Sequence, residues 1–151
     1  MPRVTEATVT LREITADTVR AICRLEVAPE QRGYVAPNAV SIAQAHFAPK
    51  AWFRAVYADE DPVGFVMLSV DADAGEYYLW RFMIAAEHQG RGYGRRALDL
   101  TVAYVRGLPR ATELLSSFVP GDAGPRGFYL GYGFEETGAV EDGEHVIRLV
   151  L

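Results

Sequence analysis

The chain has 151 residues, half of them hydrophobic, a single cysteine and a formal charge of -5 at pH 7. That length suits one domain with a substantial core, the acidic balance argues against a nucleic-acid partner, and Cys23 alone excludes an internal disulfide. His46, His88 and His145 lack ligand spacing, so no metal is expected. No run approaches a membrane span and Met1-Pro2-Arg3-Val4 carries no apolar leader, so a cytoplasmic protein without membrane attachment is expected.

Thr8 to Glu13 alternates, with Val9 and Leu11 on one face and Thr10 and Arg12 on the other, and reads as a first strand. Thr15-Ala16-Asp17 offers helix-start residues, and Val19, Ile22, Cys23 and Leu25 predict a helix reaching about Val27. Two prolines and a glycine make Ala28 to Asn38 a loop. Asn38 is placed to cap a second helix, Ala39 to Phe47, which Pro49 ends. Trp52 to Tyr57, Val63 to Val70 and Tyr77 to Ala85 predict three strands. A helix from about Gly92 to Arg106 is stopped by Gly107-Leu108-Pro109. A fifth strand, Glu113 to Val119, precedes a short helix around Arg126 to Leu130. Phe134 to Val140 and His145 to Leu151 then form a hairpin turned by Asp142-Gly143. The order predicts one mixed α/β domain over residues 1–151.

The most informative segment is Gln89-Gly90-Arg91-Gly92-Tyr93-Gly94-Arg95-Arg96, which joins an apolar strand to an amphipathic helix. Glycines at alternate positions let a ligand approach the backbone with no Cβ in the way. The first helical N–H groups have no intrahelical partner, the helix dipole adds partial positive charge, and the arginines add full charges. These features suit a phosphate. No Gly-Lys-Ser/Thr follows, which excludes a P-loop. Gly92-x-Gly94-x-x-Ala97 matches the dinucleotide pattern by letter, but the next strand ends in Ser116-Ser117-Phe118-Val119 without the acid that pattern needs. A plain tight turn with solubilising arginines stays open.

Gln89-x-x-Gly92-x-Gly94 resembles the acetyl-CoA pyrophosphate loop of the GNAT N-acetyltransferases. Phe82-Met83-Ile84-Ala85 sits where that family has a splayed fourth strand, and Phe128-Tyr129-Leu130-Gly131-Tyr132-Gly133-Phe134 resembles its Tyr-x-x-x-Gly-Phe ending. The resemblance runs from about Val9 to Leu151. It implies an α+β fold: a mixed, mostly antiparallel central sheet with the fourth and fifth strands splayed, flanked by about four helices. It also implies acetyl-CoA as donor co-substrate and transfer by direct attack of an amine in a ternary complex.

Carried onto this chain, the resemblance assigns the coenzyme to Gln89, Gly90, Arg91, Gly92, Tyr93, Gly94 and Arg95, and to the backbone of Phe82, Met83 and Ile84, freed by a bulge in the fourth strand. It assigns Tyr129 as general acid, a role for which a phenol with a pKa of about 10 is suited; packing is the plainer role. The family often has an asparagine seven positions before that tyrosine, whereas this chain has Asp122, which keeps an acceptor and loses the amide donor. For a general base or amine contact the candidates are Glu26 first and Glu76 second, each also readable as a solvated surface acid. The stretches Leu25 to Asn38 and Glu76 to Ile84 resemble the bacterial diamine and polyamine acetyltransferases. That branch implies Glu26 and Glu30 as ammonium partners, with Tyr34, Tyr78 and Trp80 as cation–π faces and walls for a methylene chain. Another small amine such as an aminoglycoside, a protein N-terminus, and a non-catalytic acetyl-CoA sensor are the alternatives. An exposed edge strand of the C-terminal hairpin offers a surface for a homodimer.

Overall fold

In the computed structural model, residues 6–151 are described, so the leader reading at Met1 to Val4 lies outside them. Seven strands form one sheet: β1 Val9–Arg12, β2 Ala51–Ala58, β3 Asp61–Asp71, β4 Glu76–Ile84, β5 Glu113–Phe118, β6 Glu135–Glu141 and β7 Glu144–Val150. Their spatial order is β1-β2-β3-β4-β5-β7-β6. Every neighbouring pair is antiparallel except β4 and β5, which run parallel. The Asp142-Gly143 turn expected between the last two strands is present. Both residues hold positive φ, 48° and 78°, the conformation a two-residue hairpin loop requires.

Four helices cover the two faces: α1 Val19–Cys23, α2 Asn38–His46, α3 Tyr93–Arg106 and α4 Arg126–Tyr132. On α3, Ala97, Leu98, Thr101, Val102 and Val105 are buried, a stripe at helical spacing. Leu98, Val102 and Val105 pack with Leu79, Leu114, Phe118, Tyr129, Phe134 and Ile147 into the main core. A second core on the opposite face joins Ile22, Phe65, Met67 and Met83, with Ile42 of α2 packed against it.

Two expectations are corrected here. The first helix spans five residues rather than reaching Val27. Beyond Cys23 the chain leaves the helix, and Leu25 and Val27 reach the second core from non-helical backbone. Asn38 does not cap α2, because Pro37 holds the cap position. Its side chain is buried and donates to the Ile22 carbonyl at 2.9 Å, tying α2 to α1.

The feature that creates a site is the divergence of β4 from β5. The two are paired only at Tyr78 with Leu115 and Leu79 with Ser116. Against β3, Leu79 opposes Leu68 and Arg81 opposes Met67, leaving Trp80 as an extra residue, the expected bulge. A one-residue slip reverses which face each side chain takes. Before the bulge Tyr77 and Leu79 face α3; after it Phe82 and Ile84 do, and Met83 turns to the second core.

Candidate active site

The splay opens a cleft of about 980 Å³ whose walls are β4 from Trp80 to Ile84 and, on the other side, Ser116 to Phe118 of β5 with Val119 just beyond it. At its apex the Ser116 hydroxyl donates to the Leu79 carbonyl at 2.9 Å, closing the V where strand pairing ends. Beyond this point the β4 backbone has no partner strand on its β5 side; the Ile84 carbonyl is taken by a side chain, and the remaining N–H and C=O groups on that side can bind an extended ligand as a strand would.

The α3 face of the cleft holds the glycine-rich loop. Gly90 and Gly92 have φ of 78° and 80°, a conformation that favours glycine, and a Cβ at either would meet nothing within 4 Å. The loop is therefore shaped for close approach and leaves room for it. No side chain caps α3, so its first N–H groups are available to an anion. Gln89 does not simply wait for a ligand. Its amide donates to the Ile84 carbonyl at 2.8 Å and exchanges hydrogen bonds of 2.8 and 3.2 Å with Gln31. It therefore braces the loop against both the end of β4 and the turn at Pro29–Gln31.

Gly92, Tyr93, Gly94 and Arg95 line the cleft with Gln89 and Gly90, as do Phe82, Met83 and Ile84. Arg91 is exposed and outside the lining. Arg96 turns away, donating to the Ala7 carbonyl and lying 5.5 Å from the Tyr93 ring centroid. Phe128 of α4 stacks on Phe82 at 6.0 Å between centroids and extends the apolar floor of this face.

Tyr129 sits on the same face at the apex, 5% exposed, its ring 5.4 Å from that of Phe134. Burial pushes its phenol well above the usual range, and a hydrogen bond with Ser116 partly offsets this. The group stays protonated through neutral pH. Tyr132, by contrast, donates to Asp99 at 2.7 Å; burial first, then that carboxylate, push it up to about 12.

The opposite face gathers residues that sequence reasoning mostly missed. Ser117, on the α1/α2 side of β5, pairs with Val146 of β7. This register brings Glu144 to the same face, where Ser117 Oγ donates to it at 3.4 Å. Arg81, turned to this face by the bulge, donates to the Gln44 side chain of α2 at 3.1 Å and to the Trp80 carbonyl at 3.2 Å. Burial lowers its pKa and the charge of Glu144 opposes that shift. Tyr78 is half-buried here, its phenol raised mainly by burial.

The expected acidic residues do not gather with them. Glu26 is exposed and within 3.8 Å of Arg32, and it is absent from the lining, as are Glu30, Asp122 and Tyr78. Glu76 is exposed at the start of β4, eight residues before the strand's cleft end, opposite Asp71. Three residues before Leu79, it lies about 10 Å from the apex at roughly 3.3 Å per residue, and it is absent from the lining. Trp80 and Tyr34 do line the cleft. Tyr34 lies against the turn after β5: a Cβ on Gly121 would overlap its hydroxyl, and one on Gly124 would be 2.8 Å from its Cε1. The segment after Pro29–Gln31 thus straps one wall to the other.

The splayed strand and the uncapped helix mark a transferase that holds a long phosphate-bearing donor, and the comparisons specify it. A family profile described as "Acetyltransferase (GNAT) family" matches residues 19–134. The chain belongs to this family and is an N-acetyltransferase. Solved structures share the fold at low identity. The PaiA N-acetyltransferase of Thermoplasma acidophilum, solved in complex with coenzyme A, is 13% identical over 95% of this chain and 99% of its own, with a TM-score of 0.71. An acetyltransferase from Thermus thermophilus is 19% identical over 97% of this chain and 100% of its own, with a TM-score of 0.70. The N-acetylglutamate synthase of Neisseria gonorrhoeae, complexed with coenzyme A and N-acetyl-glutamate, is 18% identical over 97% of this chain but 36% of its own, with a TM-score of 0.73.

Proposed function

We propose that the protein transfers an acetyl group from acetyl-CoA directly to the primary amine of a small molecule, with coenzyme on the α3/α4 face and acceptor on the α1/α2 face. The observation that carries this is the apex: Tyr129 reaches it from one face, Glu144 and Ser117 lie on the other, and β4 and β5 separate between them. Bound acetyl-CoA supplies an acetyl group activated as a thioester. The loop from Gln89 to Arg95 holds its phosphates through backbone N–H groups and the Arg95 charge, and Phe82 and Ile84, whose backbone faces away from β3 in the register that pairs Met83 with Phe65, offer strand-like hydrogen bonds to its arm.

An alkyl ammonium with a pKa near 10 must lose a proton before it attacks. Glu144 is the only carboxylate among the described residues lining the cleft, and it holds the ammonium and accepts that proton, directly or through water. The amine nitrogen then forms the N–C bond as the C–S bond breaks. The bonded nitrogen, now cationic, loses its second proton to solvent. Tyr129 holds the departing sulfur by a hydrogen bond until it takes up a proton and leaves as the thiol. Glu144 gives its proton back to solvent, so that ammonium and thioester become amide, thiol and one released proton. Because burial keeps Tyr129 protonated, it acts mainly as a hydrogen-bond donor that lowers the charge on sulfur.

The polyamine branch finds no support in the lining. Its two expected carboxylates, Glu26 and Glu30, are outside the cleft, and a guanidinium, Arg81, is inside it. The aromatic walls Tyr34 and Trp80 suit many amines. Against a protein N-terminus stands the strap carrying Tyr34, which closes on the turn after β5 and narrows the acceptor side. The test is thiol release from acetyl-CoA against a panel of amines. Intersecting double-reciprocal lines are expected for a ternary complex, and parallel lines would refute direct transfer.

A further inference from the structure

Arg81 is a cation set inside the acceptor half of the cleft, where a site for a plain amine has no use for one. It forms no ion pair among the described residues. Two of its nitrogens are used, but Nε is buried without a hydrogen-bond partner. Nε is closed off from the cleft, but a guanidinium carries five N–H groups and only two are used by the described residues, so Arg81 stands in the cleft wall with donors to spare. Across the opened V stands Glu144, reached by the β5–β7 register, with Ser117 bonded to it.

On the function proposed above, we propose that the acceptor is a zwitterion: an amino acid whose carboxylate is taken by Arg81 and whose amine is held by Glu144. The carboxylate then meets Arg81 and the amine meets Glu144, while Arg32, which also lines the cleft, already has Glu26 within 3.8 Å; the two contacts fix the amine's direction toward the apex. A guanidinium suits a carboxylate because its planar fork matches two oxygens. Glu144 is close enough for its charge to oppose the burial penalty on Arg81, yet the two are not ion-paired, which leaves room for a ligand between them. Trp80, whose ring centroid is 5.5 Å from the Arg81 guanidinium, and Tyr34 line the space left for a side chain. A polycation fits worse, since its second ammonium would face Arg81.

The test is thiol release with the proteinogenic amino acids, each beside its C-terminal amide, and with spermidine and an aminoglycoside as carboxylate-free amines. Charge-assisted hydrogen bonds of this kind are worth about 10- to 100-fold, so kcat/KM for the preferred acid should exceed that for its amide by that factor. Arg81→Gln should bring the ratio near one, mainly through KM, and Arg81→Lys should keep part of it. Equal or better turnover of amides or polyamines overturns the zwitterion and leaves the acetyltransferase reading standing. So does an acid-over-amide ratio that Arg81→Gln leaves intact. Coenzyme binding by calorimetry with no thiol release from any acceptor overturns both. The wild-type comparison decides even where the Arg81 variants fold poorly.

Discussion

Gly64→Ala should weaken the fold and the coenzyme site together. Gly64 lies opposite Ile84 on β3. A Cβ there would overlap the Met83 carbonyl oxygen and sit 2.8 Å from Ile84 Cδ1, where carbons rest at about 3.5–4.0 Å. The Ile84 methyl can swing aside, but the nearer contact is backbone and cannot, so β4 must move outward. Overpacking of this kind costs about 1–3 kcal/mol, and the reduced freedom of the unfolded chain returns about 0.4–1 kcal/mol. The net loss of about 1–2 kcal/mol lowers Tm by roughly 3–6 °C for a domain this size. On the proposed function this stretch of β4 also receives the coenzyme arm, so Kd for coenzyme A should rise roughly tenfold, about 1.4 kcal/mol. Calorimetry gives both numbers. Gly33→Ala, where an added Cβ meets nothing within 4 Å, is the control and should stay within about 0.5 kcal/mol. A Gly64→Ala protein as stable as the parent refutes the packing argument. A lowered Tm with unaltered coenzyme affinity refutes the link between β4 placement and the coenzyme.

Asn38→Ala removes the buried bond to the Ile22 carbonyl. That carbonyl keeps Leu25 N–H as a second donor, so the loss should be moderate, about 1–2 kcal/mol by denaturant titration. Gln89→Ala and Gln31→Ala should each raise Kd for coenzyme A severalfold and should not be additive, since one amide pair joins them. Stability should be indifferent to Tyr129 and Tyr132 below about pH 10, where both folded and unfolded chains carry the phenolic protons. Above it the folded chain holds protons that the unfolded chain releases, so stability falls as pH rises toward 12. Absorbance at 295 nm, compared with the Tyr129→Phe and Tyr132→Phe proteins, should show Tyr132 ionising near 12 and Tyr129 only with unfolding; either of these two titrating at 10 would contradict this.

Local signals carried most of the fold. Alternation and the Asp142-Gly143 turn located the strands, and the loop from Gln89 to Gly94 was legible because its chemistry is contiguous in sequence. The first helix was overextended because Leu25 and Val27 continue an apolar pattern that non-helical chain also buries. The acidic residues of the site were not legible for a different reason. Glu26 and Glu30 stand beside the right segment in sequence yet point to solvent. Glu144 is 63 positions from Arg81 in the chain, and only a bulge at Trp80 and the register of β7 on β5 bring the two to one cleft. Neither event leaves a local mark that periodicity detects.

The central claim is that the apex tyrosine assists acetyl transfer at the junction of the two faces. The direct measurement is kcat for thiol release by Tyr129→Phe with the best acceptor, alongside Kd for coenzyme A. Loss of a positioned proton donor predicts a fall in kcat of roughly 10²- to 10⁴-fold, with coenzyme affinity and Tm little changed. Full turnover in Tyr129→Phe would place Tyr129 in the core alone and contradict the account.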